Sequence, residues 1–218
     1  SGAELVENFD SGGLEQYDVV GWDPRGTGGS TPVQCFSDAA ADTFNSLDMS
    51  PDDEGERASL IEAAYEFGKS CWERSGTLLA HISTIETVRD LDLLRQLAGD
   101  AELHYLGYSY GTLIGATYAE LFGRSAGRLV LDAAVDITDD HEVIQAQGFD
   151  LALGNFATWC AAQNCRLGGT EQQVLDSITQ LFDRLDANPL RVGQRELTQS
   201  LAVTGVAAML YGGDGAWP

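Results

Sequence analysis

Basic residues are scarce in this sequence: 12 Lys and Arg stand against 34 Asp and Glu, a formal charge of −22. A field of that sign repels phosphate backbones and argues against a nucleic-acid partner. It would attract cationic substrates, such as peptides with a free amino terminus, although solubility alone is sufficient reason for the acids. Long apolar runs are also missing, and nothing approaches the ~20 residues of a membrane span. No signal peptide is visible at the opening Ser1-Gly2-Ala3-Glu4, so either a leader was removed or the chain begins in mid-protein. Histidine occurs three times, at His81, His104 and His141. The four cysteines form no Cys-x-x-Cys pair and no Cys/His cluster of zinc spacing, so neither a metal nor another cofactor is expected. Internal repeats and low-complexity tracts are absent.

What is present suffices for a packed interior. The chain has 218 residues, 44% of them apolar, enough for one domain or for a core with a small cap. The even cysteine count fits two disulfides in an oxidising, extracellular compartment. Cys160 and Cys165 lie close enough to close a short loop, and Cys35 and Cys71 then pair by elimination. Four buried thiols are the alternative.

Tyr17 to Trp22 reads as a buried strand running into the loop Asp23-Pro24-Arg25-Gly26. The stretch 26–56 reads as mostly loop. Leu60, Ala64, Phe67 and Cys71 fall on one helical face. Ser83-Thr84-Ile85-Glu86 has the form of a capping box, followed by a stripe at Ile85, Val88, Leu91, Leu94 and Leu97, with Gly99 as the stop. A strand at 103–106, a turn at 107–111, a helix at 112–122 and a strand at 128–131 complete an alternation that predicts a parallel sheet flanked by helices. Beyond Asp136 the repeats are helical only: Phe149, Leu153, Phe156 and Cys160, then Val174, Ile178, Leu181 and Leu185, then Leu197, Leu201, Val206 and Met209. The expected organisation is an α/β core over 1–136 and a helical cap over 137–218.

The chemistry concentrates at Gly107-Tyr108-Ser109-Tyr110-Gly111. A serine hydroxyl is a poor nucleophile unless a base takes its proton and the chain holds it out towards substrate. The Gly-x-Ser-x-Gly elbow holds it out on a strained strand-to-helix turn, whose flanking glycines let the backbones close in. The next backbone N–H, here that of Tyr110, then points at the developing oxyanion. With 25 glycines in the chain, chance supplies roughly 0.2 such pentapeptides, so the strand before and the helix after carry the weight.

Three segments resemble one family. Asp18-Val-Val-Gly-Trp-Asp-Pro-Arg-Gly-Thr-Gly-Gly-Ser30, Gly107-Tyr-Ser-Tyr-Gly-Thr-Leu-Ile-Gly-Ala-Thr-Tyr-Ala119 and Gly127-Arg-Leu-Val-Leu-Asp-Ala-Ala-Val-Asp136 are similar to segments of the α/β-hydrolase peptidases of the prolyl and tripeptidyl aminopeptidase type. The resemblance implies a secreted serine exopeptidase with Ser109 as nucleophile and peptides with free N-termini as substrates. By the same resemblance the Asp23–Gly26 loop shapes the sheet edge, with Arg25 tied to carboxylates or carbonyls. A carboxylesterase or lipase-like hydrolase is the alternative within the same elbow chemistry, and a non-catalytic binding protein on this fold is a third.

The rest of a triad is not found. The order in this fold is Ser, then Asp or Glu, then His. His81 and His104 precede Ser109, and His141 falls where the cap should begin. Asp132 and Asp136 could serve as acid only in a variant arrangement. The family's glycine-rich oxyanion loop would lie before this sequence, with Ser1-Gly2 as its last remnant, and the chain stops at Trp217-Pro218. The expectation is therefore a fragment, poorly active alone, whose acid and base lie on the remainder of the protein or on separate chains.

Overall fold

The computed structural model describes residues 15–136, 141–213 and 217. Along the chain come α1 (Asp38–Asn45), α2 (Glu54–Ser75), a 3-10 turn (Gly76–His81), α3 (Thr84–Ala98), β1 (Leu103–Tyr108), α4 (Tyr110–Leu121), a 3-10 turn (Gly123–Ser125), β2 (Ala126–Asp132), α5 (His141–Ala162), α6 (Glu171–Ala187), β3 (Leu190–Val192), β4 (Arg195–Leu197) and α7 (Gln199–Leu210). They form two compact units, residues 1–35 with 68–139, and residues 36–67 with 140–218.

In the first unit β1 and β2 pair in parallel, with Tyr105 opposite Leu129, Gly107 opposite Leu131 and Tyr108 opposite Asp132. The expected mixed α/β architecture with a parallel sheet is present. α4 is the crossover; it packs on both strands, and α3 packs on α4. Val88 and Leu91 of α3 meet Ile114 and Tyr118 of α4 in the buried core, with Trp22, Leu103 and Tyr105 packed around them. Burial of each such side chain contributes about 1.5–3 kcal/mol. Two glycines set how closely the layers approach. A Cβ on Gly115 would lie 2.6 Å from Leu131 Cδ2, and one on Gly107 would lie 2.5 Å from the Gly111 carbonyl oxygen.

The ends of α3 follow local chemistry. The Ser83 hydroxyl accepts the Glu86 N–H, and Gly99 stops the helix in the left-handed region at φ 85°. The expected stripe is only partly buried. Thr87, Val88, Leu91 and Asp92 face inward, while Ile85, Leu94 and Leu97 are exposed. Asp92 is admitted because it is fully partnered. Its carboxylate accepts from Tyr118 Oη at 2.9 Å, Arg95 Nε at 2.9 Å and Gln96 Nε2 at 2.7 Å. Burial pushes this carboxyl up, but the three bonds together hold it below the usual carboxylate value.

The Tyr17–Trp22 segment is not a strand. No described backbone pairs with it, and Val20 is 74% exposed; a strand forms only where a neighbour takes up its ladder. On α2 the predicted face is exposed at Ala64, Phe67 packs its ring against Phe36 and Phe44 while staying 38% exposed, and Cys71 is its one fully buried member. Both predicted disulfides, Cys35–Cys71 and Cys160–Cys165, are formed.

In the second unit Ala157 and Cys160 of α5 close on Val174 and Ile178 of α6. Two features depart from the sequence reading. The polar stretch before residue 56 contains α1, started by the Ser37 hydroxyl accepting the Ala40 N–H. An antiparallel hairpin, β3 with β4, interrupts the helical run. Its strands are three residues long, too short for an alternation to register. Ser1, Gly2, Pro218 and the side chain of His141 lie outside the described residues. No helix among the described residues is long and apolar enough to cross a membrane.

Candidate active site

Ser109 sits between β1 and α4 at φ 51°, ψ −119°. That backbone conformation is one a non-glycine residue adopts only at a cost of about 1–3 kcal/mol, and only where its surroundings over-determine it. The surroundings are visible in the hydrogen bonds. The Ser109 N–H donates to the Asp132 carbonyl at the end of β2, at 3.1 Å. The Ser109 carbonyl accepts the Thr112 N–H at 2.9 Å and the Thr112 hydroxyl at 2.6 Å. Thr112 Oγ1 in turn accepts the Val135 N–H at 2.9 Å. Two residues beyond Ser109, the Gly111 carbonyl accepts the Tyr105 hydroxyl at 2.8 Å. Burial pushes the Tyr105 phenol up to about 12, with the neighbouring Tyr110 adding to the shift, so it stays a donor at all ordinary pH.

These bonds consume backbone groups and leave the reactive ones open. Ser109 is exposed, and its hydroxyl does not cap the helix it precedes. Among the described residues its Oγ has no hydrogen-bond partner, and the N–H of Tyr110 at the start of α4 has no acceptor. The Tyr110 ring lies apart from this role, its hydroxyl 2.9 Å from Thr84 Oγ1. A hydroxyl on a forced bend beside an unspent N–H at a helix N-terminus is the geometry required for attack on a carbonyl with capture of the oxyanion.

None of the described histidine rings activates that hydroxyl. His104 Nδ1 accepts the Arg128 N–H at 3.0 Å, and its ring fills the space a Cβ on Gly127 would need. It precedes Ser109 by five residues on β1, about 16 Å along a strand. His81 is exposed, and its backbone carbonyl accepts Arg25 Nη1 at 2.9 Å. Asp132 adjoins the elbow through its carbonyl, and Asp136 is exposed. The Asp23–Gly26 loop is a frame: Arg25 grips Asp90 with two bonds of 2.7 and 2.6 Å and lies 3.5 Å from Glu86.

One cavity, of about 450 Å³ in the second unit, is lined by Leu47, Asp48, Asp53, Glu56 and Leu60 among others, and not by Ser109. The carboxylates of Asp52, Asp53 and Glu56 approach one another there. Their geometry is that of a helix start. Asp53 accepts the Glu56 N–H at 2.9 Å while Glu56 reaches back to the Asp53 N–H at 3.3 Å, a capping box at the head of α2.

The sequence reading found Ser109 and Tyr110 but not Thr112 and Tyr105. Tyr105 carried a faint signal, its two-residue offset from Gly107 on the face turned to α4. Thr112 carried none, since its partner Val135 is brought up only by the fold.

Parallel strands, crossover helix and elbow together define an α/β hydrolase. The profile of the alpha/beta hydrolase fold family matches residues 3–210, and the chain belongs to that family. Among curated proteins it is 36% identical over 190 residues to the tripeptidyl aminopeptidase of Streptomyces lividans, which covers 83% of this chain and 35% of that protein. It is 37% identical over 211 residues to the serine protease Hip1 of Mycobacterium tuberculosis, covering 90% and 41%. It is 36% identical over 206 residues to carboxylesterase B of Mycobacterium tuberculosis, covering 91% and 39%. The chain thus spans 35–41% of the length of these relatives.

Proposed function

We propose that this chain supplies the nucleophile and one oxyanion donor of a serine exopeptidase that cleaves peptides near their N-termini, releasing tripeptides. The observation that carries the reading is the strained, exposed Ser109 with an unspent Tyr110 N–H beside it. Ser109 Oγ attacks the scissile carbonyl carbon. A histidine outside the described residues takes its proton, and the Tyr110 N–H receives the oxyanion. The C–N bond breaks, the amine leaves with that proton, and water hydrolyses the Ser109 ester to regenerate the hydroxyl. Residues 137–218 are the cap of this enzyme and 1–136 part of its core. No cofactor enters these steps. The names of the relatives favour peptide substrates, and the charge of −22 favours substrates bearing a free ammonium group. The disulfides fit an extracellular location.

The relative named carboxylesterase B supports an ester substrate as the second reading. The test is fluorophosphonate labelling of the intact protein, followed by turnover of a tripeptidyl amide, an aminoacyl amide and a simple ester. Expected are labelling that Ser109→Ala abolishes and the highest kcat/KM on the tripeptidyl amide. Preference for the ester selects the second reading, and an unlabelled intact protein leaves only a binding role.

A further inference from the structure

We infer that Thr112 is a positioning residue whose hydroxyl aims the Tyr110 N–H at the oxyanion. The inference rests on the reading of Ser109 as nucleophile.

The argument starts from peptide planarity. The Ser109 carbonyl and the Tyr110 N–H belong to one peptide unit and point in opposite directions within one plane. Whatever fixes the carbonyl therefore fixes the N–H. Two donors hold that carbonyl: the Thr112 N–H at 2.9 Å and the Thr112 hydroxyl at 2.6 Å. The first belongs to the same helix turn and would move with it. The second is anchored elsewhere, because Thr112 Oγ1 also accepts the Val135 N–H at 2.9 Å, beyond the end of β2. The hydroxyl, 1% exposed with the rest of Thr112, spends its single proton on Ser109 and a lone pair on Val135. It is a rigid strut between the strand-exit segment and the peptide plane that carries the oxyanion donor. The Ser109 N–H is tied to the same strand end through the Asp132 carbonyl at 3.1 Å. Both peptide planes flanking the nucleophile are thus referenced to β2. A residue in a sparsely populated conformation keeps it only under such over-determination.

A donor that engages only the developing oxyanion acts in the transition state, so loosening its aim lowers kcat with KM unchanged. Loss of a complete oxyanion donor costs about 10²–10³ in rate, and a donor left in place but free to tilt should cost roughly tenfold or more. The test uses the intact protein with Thr112→Val and Thr112→Ser, each normalised to its folded fraction by circular dichroism and assayed on a tripeptidyl p-nitroanilide. Thr112→Val should lose roughly tenfold or more in kcat at constant KM, while Thr112→Ser, which keeps the hydroxyl, should stay within about twofold of the parent. A structural role alone would move the folded fraction and leave kcat per folded molecule alone. The inference is overturned if Thr112→Val keeps the parental kcat, or if Thr112→Ser falls tenfold despite its hydroxyl; should the valine variant not fold, Thr112→Ala, which also lacks the hydroxyl, takes its place in the same comparison. Parental protein that neither labels nor turns over would overturn the nucleophile reading instead, which separates the two failures.

Discussion

Gly107→Ala sets chain entropy against packing at the elbow. An alanine there removes unfolded-state freedom and should gain about 0.4–1 kcal/mol by that route. Against it stands the space. The new Cβ would lie 2.5 Å from the Gly111 carbonyl oxygen, 2.7 Å from its carbon and 2.6 Å from Tyr105 Cε1. Two of those atoms are backbone in the first turn of α4, and the Tyr105 ring is pinned by its bond to that same carbonyl. No side chain can swing aside, so the helix must back away from β1. Overpacking of this kind costs about 1–3 kcal/mol or more, which exceeds the entropic gain. The expected net loss is about 1–2 kcal/mol, roughly 2–8 °C in Tm for a chain of this size. Gly68→Ala is the matched control: it lies exposed inside α2 with nothing within 4 Å of its added Cβ, and should gain about 0.5–1 kcal/mol. Thermal unfolding followed by circular dichroism reads both. The steric reasoning fails if Gly107→Ala is as stable as the parent, or if the two variants shift Tm in the same direction.

Ser109→Gly should raise stability by about 1 kcal/mol, because relief of strain worth about 1–3 kcal/mol outweighs the 0.5–1 kcal/mol that glycine adds to unfolded freedom. Ser109→Ala retains a Cβ and should stay near the parent; urea unfolding that finds the two variants equally stable would rule out strain at this position. Tyr118→Phe removes one of the donors that hold Asp92 below its ordinary value, and at pH 7 should cost about 1.5–3 kcal/mol. The sign follows from the depressed carboxyl. Its contribution is present above the unfolded value near 3.8 and is lost as pH falls through the lower folded one. The gap between parent and variant in urea unfolding should therefore narrow from pH 7 to about pH 3, and a gap of equal size at both contradicts a charge-assisted bond.

How far such features can be read in advance depends on whether their causes are local. The Ser83 and Gly99 ends of α3 follow from a hydroxyl and a missing Cβ within a few residues, and both were legible. So was the elbow, where strand, glycines and helix are contiguous. Of the two disulfides, Cys160–Cys165 follows from its short spacing and Cys35–Cys71 by elimination from the even count. The Tyr17–Trp22 segment has a strand's composition, but a strand also needs a neighbour, which composition does not encode. The α3 stripe failed at Leu94 and Leu97 for the related reason that an apolar face is buried only where something covers it. The β3–β4 hairpin escaped because three residues do not establish a period. Asp92 shows the converse. The helical stripe read from the sequence leaves this charged side chain out, and it faces inward because Tyr118, Arg95 and Gln96 supply its partners.

The strain at Ser109 also bears on whether this chain does chemistry at all. A binding surface would have no use for a non-glycine residue at φ 51° with an idle hydroxyl and an idle N–H beside it. Glycine in that place would spare about 1–3 kcal/mol of strain, and a serine turned back to cap α4 would gain about a further 1 kcal/mol. The fold does neither, and instead spends Thr112, Tyr105 and the end of β2 on keeping the bend as it is. That arrangement is what the proposed attack on a carbonyl requires, with the hydroxyl facing a reactant while the next N–H faces the same reactant's oxygen. On the proposed reading, the bend that presents Ser109 is held by Thr112, Tyr105 and the end of β2, and its activation is a separate task for a base outside the described residues.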